Sequence, residues 1–483
     1  MAAVTMPAAA ERGARLTFQS YSAIGTLVFL LMMLVGLLMR AAQGRVIELP
    51  PDLFYQLMTL HGAGMVGTAG LAGAAVMWYF LRRYVALSTT VFATMLALSL
   101  AGVVAILGGI LIGGFGGAWT FLYPLPAKSA GLWSAHAAAA FVVGLLLIGV
   151  GFLLFYLDAA LALMRKYGNL TRALGLHRLV SGPLEDAPPP TVVASTMVVI
   201  VNVCSIAVGA VVLVMTLVNL YVPSVAFDAL LVKNLIFFFG HVFINAAIYM
   251  TVIGVYEVVP AYTQRPWKTT RPFLWSWAAV TLVVMAVYPH HLLMDFVMPK
   301  WATVLGQVLS YVSGIPVLLV TAYGALVNLY RSGARWELPL RLIVFGLLGW
   351  SLGVIPAIVD ATVRVNLVMH NTLWVPGHFH TYLLLGLLPM LLGTVLHVST
   401  RQGWREAALD RGAFWVYGVA GLAFCLSFLA AGYRSVPRRY ATHDDAWVGF
   451  AQFGTVAALL VVAAAVVLGV RVLARLRHAQ MEA

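Results

Sequence analysis

The chain has little charge and almost no cysteine. Only 9% of its 483 residues are charged, whereas 62% are hydrophobic and the mean hydropathy is +0.95. A water-soluble core cannot enclose that much apolar surface, so the composition predicts a membrane protein. The two cysteines, Cys204 and Cys425, each lie inside an apolar run. This excludes a disulfide framework and a cysteine-rich metal site, including a dinuclear copper site for electron entry.

Acidic residues are also scarce, with 16 Asp and Glu against 29 Lys and Arg and a net charge of +13. A nucleic-acid-binding protein gathers its basic residues on one face, but here they form short clusters between apolar runs. We therefore predict no nucleic-acid partner and interpret the clusters as markers of membrane topology. The segment before Tyr21 lacks a small-residue cleavage signal, so we expect the first apolar run to be retained.

Twelve apolar runs are long enough to cross ~30 Å of hydrocarbon as helices. They cover residues 21–41, 57–81, 90–113, 132–157, 192–221, 234–260, 273–298, 302–330, 340–362, 374–398, 413–433 and 448–470. The connections are short except for 164–190, which we expect to be a surface loop. The sequence therefore predicts an all-α, polytopic membrane protein with one transmembrane domain, residues 1–483, whose helices span about 21–470.

The basic residues are distributed unevenly between the two ends of these runs. If both termini lie on one side, that side carries 20 of the 29 Lys and Arg residues and the other side carries nine. Lys and Arg favour the cytoplasmic side of a membrane. We therefore expect a protein of the bacterial inner (cytoplasmic) membrane with short cytoplasmic termini.

Six of the 12 histidines lie inside the predicted spans. They are His61 in the second span, His241 in the sixth, His290 and His291 in the seventh, and His378 and His380 in the tenth. With this orientation all six lie within ~15 Å of the outer surface. A single such histidine is more often bonded to a neighbouring helix, but imidazole is also a strong ligand for iron, copper and zinc. Four helices with imidazoles at one depth therefore predict a redox metal centre.

The spacing of the paired histidines indicates how they are used. His378 and His380 point to nearly opposite sides of a helix, ~200° apart, and would serve two different cofactors. His290 and His291 diverge by ~100°, but a distortion near Pro289 would let both approach one metal. The simplest arrangement is two haems on either side of the tenth span and one metal held by three imidazoles.

Several segments resemble one family of membrane enzymes. The segments are TLHGAGMVG (59–67), AWTFLYPLP (118–126), FFGHVFINAAIY (238–249), YPHHLLMDF (288–296), VPGHFHTYLLLG (375–386) and VPRRY (436–440). In order and in position they are similar to motifs of subunit I of haem-copper oxidases and of their nitric oxide reductase relatives. The GHFH form with its preceding proline most resembles the B-type oxidases. The resemblance covers essentially the whole chain and implies the haem-copper oxidase subunit I fold.

The resemblance also implies roles for individual residues. His61 and His380 would ligate a low-spin haem from both sides, and His378 would hold a high-spin haem. The open face of the high-spin haem would meet a non-haem metal. The metal ligands would be His241, His290 and His291, and the haem propionates would be bound by Arg438 and Arg439.

Asn245, four residues after His241, departs from the common patterns of the family. Oxygen-reducing members with this helix pattern have a Tyr there, whose phenol supplies one of the four electrons needed to break O–O, together with a proton. An amide supplies neither, and Met294 occupies the position that another oxidase branch uses instead. The better-known nitric oxide reductases have a Glu at this position, whereas some branches have amides. Because reducing two NO to N2O needs only two electrons and two protons, we predict a nitric oxide reductase.

The sequence leaves alternatives for the metal, the electron donor and the function. Three imidazoles without a carboxylate favour copper, with iron bound by the Asn245 oxygen as second choice. The electron donor would be a second subunit carrying copper or haem c, or else a quinol. Two other functions remain open: a terminal oxidase reducing O2 to water, similar to cytochrome c oxidase, and a non-enzymatic transporter or haem carrier.

Polar residues in two predicted spans offer a path for protons from the cytoplasm. They are Tyr256 and Glu257 in the sixth span and Thr303, Gln307, Ser310, Tyr311 and Ser313 in the eighth. Such a seam is equally typical of hydrogen bonding between helices. Asp295, one turn beyond His291, offers a second route from the outer face.

Overall fold

The structure is a computed structural model that describes residues 8–295, 297–399 and 406–481. Within these residues twelve helices are long and apolar enough to cross a membrane. They are α1 (Glu11–Gln43), α2 (Pro51–Leu81), α3 (Thr89–Ile112), α4 (Ala135–Tyr167), α5 (Pro190–Tyr221), α6 (Ala229–Thr263), α7 (Arg271–Leu292), α8 (Lys300–Leu329), α9 (Leu338–Ala361), α10 (Trp374–Ser399), α11 (Ala408–Tyr433) and α12 (Asp445–Arg477). This confirms the predicted all-α, multi-pass membrane fold.

Helices α2, α6 and α10 form the interior of the bundle. The most apolar windows of these three helices are 72%, 61% and 78% buried, whereas that of α8 is only 22% buried. The three inner helices contact one another, and small residues allow this. A Cβ at Gly73 of α2, for example, would lie 3.0 Å from the carbonyl oxygen of Ala247 in α6. Four of the six histidines in the spans lie on these inner helices.

Several helices extend beyond the apolar runs that predicted them. Helix α4 continues to Tyr167 instead of ending at residue 157, with Arg165 and Lys166 in its last turn and Gly168 as its C-cap. The expected loop 164–190 therefore begins as helix, and it also contains the helical turn Leu170–Ala173. An apolar run predicts the length that crosses hydrocarbon, but a helix can continue into water until a capping residue ends it.

Two spans that were predicted as continuous helices are interrupted. In α7 the regular helix ends at Ala286 and a 3-10 segment, Tyr288–Leu292, carries the histidine pair. Helix α8 is divided at Gly314 into Lys300–Ser313 and Ile315–Leu329. Pro289 and Pro316 lie at these two interruptions, where proline prevents regular helical hydrogen bonding.

Helix α10 contains a π-helical turn, Thr381–Leu387, directly after His380. Such turns are rare and frequently occur at functional sites. The sequence did not predict it, because π turns have no hydrophobic period of their own. It lies where α9 packs closely: a Cβ at Gly349 would overlap the backbone carbonyl of Leu385.

Candidate redox metal centre

Three imidazoles converge in the half of the bundle where α6 begins. His241 of α6 and the pair His290 and His291 of α7 each offer a ring nitrogen, and these atoms lie within 4.8 Å of one another. The His291 Nε2 lies 3.1 Å from His241 Nδ1 and 3.0 Å from His290 Nε2. Imidazole nitrogens bound to one metal at ~2 Å lie about 3–3.5 Å apart. The three nitrogens therefore fit one metal ion.

The 3-10 segment explains how adjacent histidines reach one point. The rings of His290 and His291 lie 4.2 Å apart between centroids, and both face His241, at 5.0 and 5.2 Å. Phe237, one turn before His241 on α6, stacks on the His291 ring at 5.3 Å. The segment is thus held against α6 at the level of the cluster.

His61 of α2 and His380 of α10 form a facing pair. Their ring centroids lie 6.2 Å apart, which matches an iron between two imidazole nitrogens at about 2 Å each. His61 Nδ1 is 2.8 Å from the Met32 carbonyl oxygen and His380 Nδ1 is 2.7 Å from that of Pro376. A carbonyl can only accept, so each Nδ1 carries the proton and each Nε2 keeps a free lone pair. The pair fits the axial ligation of a haem.

His378 lies on the same helix but in different surroundings. Its ring packs against that of Tyr382 at 5.4 Å, while the His380 ring packs against Phe424 and Phe428 of α11. The His378 Nδ1 is buried and has no hydrogen-bond partner among the described residues. The two histidines of the GHFH motif thus face different neighbours, as expected for ligands of two separate groups.

Arg438 and Arg439 lie in the loop between α11 and α12, which is hydrogen-bonded to the start of α10. The Leu373 amide donates to the Val436 carbonyl, and the Arg438 guanidinium donates to the Asn371 side chain. Burial lowers the pKa of Arg438 to about 10, and its Nε is buried without a partner among the described residues. A half-buried guanidinium whose Nε has no partner among the described residues suits an anionic group such as a haem propionate.

Trp119, the tryptophan of the AWTFLYPLP segment, lies beside two of the histidines, although the sequence predicted no role for it. Its loop joins α3 to α4, and its ring lies over Gly62 and Gly240, next to His61 and His241. A Cβ at Gly62 would overlap the indole. Only glycine at position 62 leaves room for the indole ring, so Gly62 in the TLHG segment is the sequence feature that indicates this contact.

Asn245 faces His241, which precedes it by one helical turn. Its Nδ2 donates to the His241 carbonyl at 2.8 Å and lies 3.4 Å from His241 Nε2. The amide is therefore beside the ring nitrogen that does not face the other histidines. Tyr249, the next phenol along α6, packs against Trp277 and Trp350.

Tyr256 and Glu257 point to different neighbours. The Tyr256 hydroxyl is 2.7 Å from Thr321 Oγ1 of α8. The Glu257 carboxylate accepts a hydrogen bond from Tyr84 at 2.9 Å and forms an ion pair with Arg83 at 3.3 Å. The two residues therefore do not begin one common path, because adjacent helical positions differ by ~100°.

The polar residues of α8 mostly bond locally or to the end of α9. Thr303 donates to the Lys300 carbonyl, Gln307 accepts from the Val363 amide, Tyr311 pairs with Thr362, and Ser313 donates to the Ser310 carbonyl. Ser310 alone among them contacts the histidine cluster, through His290. Among the described residues these side chains do not form one continuous hydrogen-bonded chain. Asp295 forms an ion pair with Lys233 of α6 at 2.8 Å.

Few classes of membrane protein combine twelve spanning helices with a three-histidine cluster that could hold a metal and a facing histidine pair. Residues 18–466 match the family model described as "Cytochrome C and Quinol oxidase polypeptide I". The chain belongs to this family of haem-copper oxidase subunits I.

Individual relatives are distant. The chain is 23% identical to a cytochrome c oxidase polypeptide 1 of Halobacterium salinarum over 239 residues, 48% of this chain and 40% of the relative. It is 23% identical to a probable quinol oxidase subunit 1 of Staphylococcus aureus over 234 residues, 47% of this chain and 35% of the relative. The matches thus span about two fifths or less of these relatives. A solved structure titled as a heme-copper terminal oxidase dimer has TM-score 0.78 and 18% identity, covering 96% of this chain and 84% of that chain; it shares the fold.

Proposed function

We propose that this chain is the catalytic subunit of a respiratory oxidoreductase that reduces nitric oxide to N2O. In this proposal residues 1–483 form a single catalytic domain. His61 and His380 hold a low-spin haem, His378 holds a high-spin haem, and the three-histidine cluster holds a metal. When bound, these groups carry the electrons and bind the gas. Because His378 and His380 are two residues apart on α10, one helix positions both haems.

The observation that carries the choice of substrate is Asn245. Its amide lies beside the non-ligating nitrogen of His241, where oxygen-reducing relatives of this type have a phenol. An amide neither loses an electron nor releases a proton near neutral pH. The reaction 2 NO + 2 e⁻ + 2 H⁺ → N2O + H2O requires neither from this position.

Reduction of O2 to water is the second candidate. The relatives named above are described as oxidases. A phenol, Tyr382, packs against His378 with 5.4 Å between the ring centroids. Because His378 would hold the high-spin haem from the face away from the metal, Tyr382 does not replace the phenol that oxygen-reducing members have beside His241.

Copper is the metal that the cluster favours. The cluster contains three histidines and no carboxylate among the described residues. Iron usually takes a harder oxygen ligand, a role predicted for the Asn245 amide oxygen as the second choice. Metal analysis of the purified protein distinguishes the two.

We place the chain in the bacterial inner membrane with both termini cytoplasmic, surrounded by lipid, with a second subunit carrying copper or haem c as electron entry. A quinol is the alternative donor. A transporter or haem carrier would lack the visible band of a stably bound low-spin haem, so absence of that band would overturn the enzyme proposal.

The decisive experiment compares the two gases in one preparation. With the same reductant, anaerobic NO consumption by the native enzyme is expected to exceed its O2 uptake. The Asn245→Tyr variant is expected to lower the ratio of NO turnover to O2 turnover by at least about tenfold, because general acid–base groups typically contribute that much or more. Asn328→Tyr is the matched control, because Asn328 also donates to the carbonyl four residues earlier but lies on a different helix, at the C-terminal end of α8. Native O2 uptake well above NO consumption would contradict the proposal.

A further inference from the structure

Ser310 contacts a metal-binding histidine from a neighbouring helix. Its Oγ lies 2.9 Å from His290 Nδ1 and 2.7 Å from the Gly306 carbonyl oxygen. A carbonyl oxygen can only accept, so the single hydroxyl proton of Ser310 is committed to Gly306. The serine oxygen therefore accepts from His290, and His290 Nδ1 carries a proton.

This assignment determines which nitrogen of His290 is available to a metal. With the proton on Nδ1, the neutral ring has its lone pair on Nε2. That nitrogen lies 3.0 Å from His291 Nε2, inside the cluster. The hydroxyl thus holds the ring in the tautomer that a metal requires, before any metal is bound.

The surroundings of Ser310 argue against incidental packing. The helical segment that carries it, Lys300–Ser313, has no buried residue. A weakly buried helix nevertheless directs one hydroxyl onto a ligand that belongs to α7. His241 differs, since its Nδ1 faces the cluster and its Nε2 faces Asn245 on its own helix.

We propose that Ser310 is a positioning residue for the metal centre, which sets the tautomer and ring orientation of His290. The inference rests on the proposed metal at His241, His290 and His291, and it replaces the expectation that Ser310 relays protons. Partners of this kind orient metal-bound histidines and raise their basicity, and removing one typically weakens metal binding about 10–100-fold.

The test measures copper retention in the complete enzyme. Purified Ser310→Ala is titrated with a colorimetric copper(I) chelator, and the copper remaining per protein is determined. We expect copper loss at about 10–100-fold lower free chelator than in the native enzyme, with recovery in Ser310→Thr, which keeps a hydroxyl. An unchanged low-spin haem spectrum in the same sample verifies folding.

Ser351→Ala is the matched control. Ser351 also donates to the carbonyl four residues earlier, Leu347, but it lies on α9, and its variant should retain copper as the native enzyme does. Equal retention in Ser310→Ala and Ser351→Ala would overturn the inference. His290→Ala separates the two proposals: if it leaves the copper content unchanged, the metal site itself is wrong; if it removes copper while Ser310→Ala does not, only the role of Ser310 is wrong.

Discussion

Gly36, a residue outside the motifs, determines the orientation of the His61 ring. The ring lies against α1, where its Nδ1 donates to Met32. A Cβ at Gly36 of α1 would lie only 2.8 Å from His61 Cε1, closer than atoms pack without displacement. Gly36 is therefore required for the ring to occupy its observed orientation, although no motif contains it.

Gly36→Ala is expected to weaken retention of the low-spin haem. Overpacking costs about 1–3 kcal/mol, so haem affinity should fall about tenfold. The effect is measured as the intensity of the low-spin haem band per protein while haem is transferred to an excess of apomyoglobin. Gly67→Ala on α2 has open space at its Cβ and controls for the general gain in helix propensity. Equal haem retention in both variants would show that the His61 ring tolerates displacement.

At the scale of elements, the contact between α9 and α10 supports the two proposed haem ligands, His378 and His380. Gly349 and Gly353 of α9 lie against Leu385 and Tyr382 of α10. Both of these α10 residues belong to the π-helical turn that follows His380. At Gly349 the close approach depends on glycine, because the Leu385 backbone cannot move aside as the end of a flexible side chain can, whereas Gly353 faces the Tyr382 ring.

Gly349→Ala is expected to separate α9 from α10 and to destabilise the protein. The cost should reach or exceed the upper part of the usual range for overpacking, about 1–3 kcal/mol, because the obstacle is the Leu385 backbone. Thermal unfolding of the detergent-solubilised protein measures it, and haem content should fall in parallel. Gly412→Ala on α11 meets open space and should unfold near the native temperature. A native unfolding temperature for Gly349→Ala would mean that the helices adjust without loss.

At the scale of the whole molecule, the distribution of charge predicts the orientation. In the predicted topology, 20 of the 29 Lys and Arg residues fall on the side of the termini. Several of them form ion pairs there, such as Arg471 with the buried Asp410. The histidine cluster lies toward the opposite side, near Arg438 and the Lys233–Asp295 pair.

Reporter fusions test this orientation. A fluorescent protein fused to the C-terminus should fluoresce, because such reporters fold in the cytoplasm, whereas alkaline phosphatase at the same position should be inactive. Phosphatase inserted in the loop between α11 and α12 should be active. The reverse pattern would move the metal centre to the cytoplasmic side and contradict the proposed position of electron entry.

The sequence by itself predicted twelve spans, as many as the described residues form, and a common depth for the six histidines. Bilayer thickness converts an apolar run into a helix of known length, and the position along that run gives the depth. The motifs also sufficed to identify the family, which the match over residues 18–466 confirms.

Only the tertiary structure decided how each helix is rotated about its axis and where it bends. It directed Glu257 toward Arg83, broke α8 at Gly314, and brought Ser310 to His290. The physical reason is that apolar residues surround most of these helices, so the hydrophobic pattern does not select an inward face. Packing between neighbours, at glycines such as Gly36 and Gly349, selects it instead.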